Sequence, residues 1–191
     1  MQNVKKKILQ SINQHNLLIK RQTGDIIKKI DIFSKYLIDA INKNNKILIA
    51  GNGGSAADAQ HFSTELTVKM KRYRRALPLI SLSTDTSALT AIGNDYNFKS
   101  IFSRQIEALG NSGDIFIPIS TSGNSPNIIE ALKISKKNKM INLGILGNRG
   151  GKSKQYVDES FIVKSSDPSR IQEIHIIFYQ NLCSVIEDYY S

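Results

Sequence analysis

His61 and Glu65 stand one helical turn apart, so both side chains project from one helix face. That geometry suits half of a metal site, or a carboxylate base beside an imidazole. It also suits a plain solvated surface pair. Position favours chemistry, because the pair follows Gly51-Asn52-Gly53-Gly54-Ser55-Ala56-Ala57 by only one or two turns. Glycines let a backbone approach a ligand closely, and a helix starting at once behind them offers free N–H groups to an anion. A second segment, Ser120-Thr121-Ser122-Gly123-Asn124-Ser125-Pro126, has the same character. Pro126 fits a first helical position and Ser125 a natural N-cap. One cap needs one hydroxyl, whereas this loop carries four. Gly51-x-Gly53-x-x-Ala56 also fits a dinucleotide fingerprint, which expects an acid about 20 residues further on. Asp85 comes too late for that role, and two matched polar loops point to a phosphate site instead.

These loops need elements to hold them. Short apolar, β-branched runs at 46–50, 79–82, 114–119, 141–146 and 159–163 read as buried strands, most of them separated by helix-length stretches. The alternation predicts an α/β fold with a five-stranded parallel sheet flanked by helices, of the flavodoxin-like three-layer kind. Both polar loops then lie at the carboxyl edge of the sheet, where ligands bind in such folds. Ahead of the first strand, two amphipathic segments (Val4 to Leu18 and Ile26 to Ile38) predict an N-terminal helical extension over residues 1–45. Its surplus apolar surface predicts a homo-oligomer. The last segment, Ser169 to Tyr190, has a helical pattern. It opens as a capping box, with Ser169 at the cap and Gln172 reaching back. No linker or repeat divides the chain, so residues 1–191 read as one domain.

Composition narrows the class. The 191 residues are 40% hydrophobic and 22% charged, ordinary for a globular chain. A single cysteine, Cys183, cannot pair within the chain and fits a reducing compartment, the cytoplasm. Lys5, Lys6 and Lys7 precede no apolar run of signal-peptide or membrane-spanning type, so no membrane is expected. The net charge of +10 is spread over lysine-rich faces without a nucleic-acid motif, and no nucleic-acid partner is expected. One dense cluster, Lys69, Lys71, Arg72, Arg74 and Arg75, is left open as a contributor to an anionic site.

Four stretches taken together, GNGGSAADAQHF with Glu65-Leu66, TDTSALTAIGNDY from Thr84, STSGNSPN from Ser120 and RIQEIHI from Arg170, resemble the phosphoheptose isomerases, enzymes with a SIS domain. The resemblance covers nearly the whole chain. It implies conversion of sedoheptulose 7-phosphate to D-glycero-D-manno-heptose 7-phosphate through an enediol, for lipopolysaccharide synthesis. It also implies a homotetramer with active sites between subunits and one zinc ion per subunit. Zinc ligands fall on His61, Glu65 and Gln172. The fourth position, a histidine in the family, is Gln180 here. Substrate contacts fall on Asn52, Gly53, Gly54, Glu65, Asn94, Asp95, Ser120, Thr121, Ser122, Ser125 and Gln172, with Ser55 joining the phosphate loops. Glu65 is the implied base. Gln180 cannot exchange a proton near neutral pH and is a poorer zinc ligand than imidazole.

The substitution at 180 motivates a rival from another class, a non-catalytic SIS protein that binds a partner such as the DnaA replication initiator. Gln180 and the basic surface favour that rival. The intact stretch around His61 and Glu65 favours the enzyme, since a pure binding protein has no physical need for this carboxylate.

Overall fold

The computed structural model describes residues 2–191. Helix α1 (Gln2–Asn42) leads into β1 (Ile47–Gly51), α2 (Gly54–Thr67), β2 (Leu79–Ser81), α3 (Thr86–Asp95) and α4 (Ser103–Leu109). Then follow β3 (Ile115–Ser120), α5 (Pro126–Lys137), β4 (Ile141–Gly147), β5 (Glu159–Val163) and α6 (Pro168–Tyr190). The five strands form one sheet in the order β2-β1-β3-β4-β5, and every pair is parallel. This is the flavodoxin-like order, whose switch point lies between β1 and β3. Gly51 pairs with Ile119 there, so the first glycine loop and the Ser120 loop leave the sheet side by side.

Burial explains the strands. All residues of β1 and β3 are buried, because helices cover both faces. One apolar layer packs α1, α2 and α6 on one face around Phe33, Phe62, Phe178 and Tyr179. The other packs α4 and α5 around Phe102, Phe116, Ile106 and Leu132. At the amino edge, buried Asp114 accepts from Lys46 through both its backbone N–H (2.9 Å) and its Nζ (2.5 Å). Burial alone would raise the Asp114 pKa, but these bonds and the Asn111 N–H outweigh it and hold the carboxyl below its usual range.

The two amphipathic segments of the N-terminal extension lie on one continuous helix of 41 residues, roughly 60 Å long. Gly24 does not break it, and Gln22 uses the midpoint structurally. The Gln22 amide donates to Ile162 O at 3.0 Å and accepts from Lys164 N at 3.0 Å, closing the free edge at β5. The second half of α1 buries Phe33, Leu37, Ala40 and Ile41, while Val4, Ile8, Leu9, Ile12 and Leu17 of the first half are exposed. His15 bonds Glu173 of α6 at 2.7 Å, and Arg170 of α6 donates to Ser11 O at 2.5 Å. Among the described residues, no helix is long and apolar enough to cross a membrane.

Candidate active site

Helix α2 rises from the first glycine loop and carries His61 and Glu65, while α6 lies against it. The His61 Nε2 is 2.9 Å from Glu65 Oε1. Gln180 places its amide nitrogen 3.1 Å from His61 Nε2 and 3.4 Å from Glu65 Oε1. Three side chains distant in sequence therefore close a small triangle. With Glu65 ionised, no assignment of protons satisfies all three edges. If Nε2 keeps its lone pair for the amide N–H, it faces the carboxylate as acceptor against acceptor. If Nε2 carries the proton, it meets the amide nitrogen as donor against donor. Turning the amide moves the conflict to the Gln180–Glu65 edge.

A divalent cation at the centre removes the conflict, because imidazole nitrogen, carboxylate oxygen and a turned amide oxygen all present lone pairs. Neighbouring donors around a tetrahedral ion with bonds of about 2.0–2.1 Å lie roughly 3.3 Å apart, close to the separations here. The residues thus fit a zinc-like ion, with harder donors than the family pattern supplies. Among the described residues, no three His, Cys, Asp or Glu side chains gather in a metal-binding group, and the third side chain of this triangle is the Gln180 amide.

Gln172 lies two turns before Gln180 on α6 and faces the first glycine loop. A methyl group placed on Gly54 would fall 2.5 Å from Gln172 Nε2, so the amide end of Gln172 lies close against this glycine. The expected capping box is therefore corrected. Pro168 occupies the first turn, Asp167 is the N-cap, and its side chain accepts from Ser169 N at 2.9 Å. Gln172 is released from capping, and among the described residues it makes no hydrogen bond to the triangle.

The second loop is held from within. Ser120 Oγ accepts from Gly123 N at 3.1 Å, and Ser122 Oγ accepts from Asn124 N at 3.1 Å. Ser125 occupies the N-cap of α5, yet its hydroxyl makes no capping bond and instead lies 3.5 Å from Ser120 Oγ. Thr121 is half-buried and Ser122 exposed, so this loop still offers hydroxyls at the sheet edge. Asn52 and Asn127 exchange two amide hydrogen bonds, at 2.9 and 2.8 Å, and so lock the two loops together. Ser55 is buried in the first turn of α2, whereas Gly53 and Gly54 are exposed. Asn94 and Asp95 are exposed at the end of α3 and bond each other at 2.9 Å, away from the triangle's bonds.

Several residues here gave no sequence signal. Tyr179 is buried and places its hydroxyl 3.1 Å from His61 Nδ1. Burial, reinforced by the Asp58 carboxylate, raises the Tyr179 pKa and keeps the phenol neutral. Asp58, also buried, has an Oδ2 without a hydrogen-bond partner, and burial pushes its carboxyl up to about 6 against the pull of His61. Arg74 of the basic cluster is buried and donates to the carbonyls of Glu65 and Leu66 at 2.8 Å. Arg72 pairs with Asp188 at 2.9 Å, and Arg75 covers the Tyr190 ring. Much of that cluster is therefore structural. His175 is buried and donates to Leu146 O at 3.0 Å, and burial lowers its pKa to about 4, which leaves it neutral. Cys183 is likewise buried, with its thiol pushed well up.

The fold and both loops define the class: residues 10–147 match the SIS domain family. The phosphoheptose isomerase 1 of Campylobacter jejuni is 51% identical over 168 residues, 87% of this chain and 90% of its own. The phosphoheptose isomerase of Aliarcobacter butzleri is 45% identical over 185 residues, 97% and 98% of the two chains. The solved structure of phosphoheptose isomerase GmhA from Neisseria gonorrhoeae superposes with a TM-score of 0.91 at 36% identity, covering 97% of this chain and 99% of that one. This chain belongs, within the SIS domain proteins, to the phosphoheptose isomerase family. These relatives lend no support to the rival reading as a partner of the DnaA initiator.

Proposed function

We propose that the protein converts sedoheptulose 7-phosphate into D-glycero-D-manno-heptose 7-phosphate, supplying heptose for lipopolysaccharide synthesis. The observation that carries this reading is the Glu65 carboxylate, held in the triangle beside two anion-ready loops. Oε1 of Glu65 is engaged with His61 and Gln180, and its second oxygen is left for proton transfer. In the proposed reaction Glu65 takes a proton from C1 of the ketose, giving an enediol, and returns it to C2. The hydroxyl proton passes from O1 to O2, so the reaction is balanced without an oxidant. Gln180 cannot carry that proton, which leaves water or a substrate hydroxyl to do so. The C7 phosphate sits on Ser55 and on Ser120, Thr121, Ser122 and Ser125, with the N-terminus of α2 adding partial positive charge.

A zinc ion held by His61, Glu65, Gln180 and Gln172 would, when bound, polarise the substrate's oxygens. The assembly proposed is a cytoplasmic homotetramer built on the α1 extension. The exposed apolar residues of its first half support that, and so does α3, which has no buried residue and carries Asn94 and Asp95 outward. Purified protein, with and without zinc, should convert sedoheptulose 7-phosphate in an NMR time course. Tight binding without turnover under both conditions would overturn the enzyme reading.

A further inference from the structure

We propose that Tyr179 is the positioning residue of this site, its hydroxyl holding the His61 imidazole so that Nε2 stays on the Glu65–Gln180 edge. The imidazole needs such a hold, because the His61 side chain is 52% exposed and could otherwise turn into solvent. Tyr179 cannot turn away. It has no exposed surface, its ring stacks on Phe62 at 5.4 Å and 12°, and it meets the His61 ring edge-on at 5.7 Å and 78°.

Chain order does the rest. Tyr179 and Gln180 are consecutive on α6, so one helix docking delivers both to one ring. Tyr179 takes Nδ1 at 3.1 Å and Gln180 takes Nε2 at 3.1 Å. A phenolic hydroxyl suits this position because it both donates and accepts. It accepts Nδ1–H when Nε2 must offer a lone pair, and donates to Nδ1 when Nε2 carries the proton towards Glu65. Partners on the far nitrogen of a metal-binding imidazole fix its tautomer and orientation, and their loss typically lowers metal affinity ~10–100-fold. With an amide at position 180 contributing little to affinity, the imidazole and its orientation carry more of the site.

The variant Tyr179→Phe keeps the ring and its stacking and removes only the hydroxyl. Relative to the wild type, it should keep its melting temperature and its KM. Zinc affinity, read by competition with a chelating dye, should drop ~10–100-fold, with a comparable drop in kcat. Unchanged zinc affinity and kcat would overturn the proposal. The zinc arm rests on the metal reading above, so a second arm needs no metal. In metal-free protein labelled with 15N-histidine, the three histidines are told apart by single substitutions, and the His61 Nδ1 signal should shift in Tyr179→Phe. Wild type that binds no zinc removes the metal reading alone, and an unmoved Nδ1 signal then removes the role of Tyr179. Should Tyr179→Phe fail to fold, wild-type spectra decide. A single ordered His61 ring environment supports the role, and a freely averaging ring overturns it.

Discussion

Two glutamates face the contact between α2 and α6, and they are treated in opposite ways. Glu187, near the end of α6, is 3% exposed and fully engaged. It accepts from Met70 N at 2.8 Å and Lys71 N at 2.9 Å, with the Arg74 guanidinium 3.9 Å away. Burial alone would raise its pKa, but those backbone donors, Arg72 N–H and the Arg74 charge hold it below the usual range. Glu65, two turns up the groove, sits in a triangle that no proton arrangement satisfies while its carboxylate is ionised. The first carboxylate fastens the 68–75 loop to α6. The second engages His61 and Gln180 through one oxygen, which leaves the other for the proposed proton transfer. Arg74 connects the two, since it pairs with Glu187 and donates to the Glu65 carbonyl at 2.8 Å.

The contrast breaks most sharply at Glu65. Glu65→Gln should lower kcat by ~10²–10⁴ while leaving the melting temperature equal or higher, read by NMR turnover and thermal unfolding. Glu187→Ala should do the reverse. Leaving Arg74 buried without its counter-charge should cost about 3–5 kcal/mol of unfolding free energy in denaturant titration, with kcat per folded molecule nearly intact.

A pH series sharpens the comparison. Glu187 and Asp114 both have folded pKa values below their unfolded ones, so their stabilisation is complete above the unfolded pKa, near 4. It is lost as pH falls through the folded values. Glu187→Gln should therefore flatten the acid limb of stability below about pH 4, whereas Glu65→Gln should leave this Glu187 contribution in place. The smallest effect is expected at position 180. Gln180→His should tighten zinc binding and raise kcat by roughly tenfold, a change within reach of a single improved metal or proton contact.

Much of this was legible in the chain. The buried strands announced themselves as short β-branched runs, and the His61–Glu65 spacing needed only helical periodicity. Caps were legible but misread, because Asp167-Pro168 is itself a helix-start signal that outranks Ser169. The role of Gln22, between the two apolar segments of α1, was not legible, because its partners are Ile162 and Lys164 at a distant strand edge. Tyr179 was illegible for a different reason. On α6 it occupies an apolar position in an apolar stripe, and only the fold, joining residues 118 apart, shows that its hydroxyl meets His61. Arg74 was hidden in a basic run whose members looked alike until burial separated them.

The Ser120 loop leaves one further mark. A side chain at Gly123 would fall 2.1 Å from Gly150 O, and one at Gly151 would fall 2.6 Å from Gly123 O. Two backbones touch with no room for a β-carbon on either side. These positions touch no proposed substrate atom, yet in a library of random variants they would be as empty of survivors as Glu65. Evolution towards other sugar phosphates has to proceed around this contact, by changing the hydroxyls on the loop's rim while its spine stays as it is.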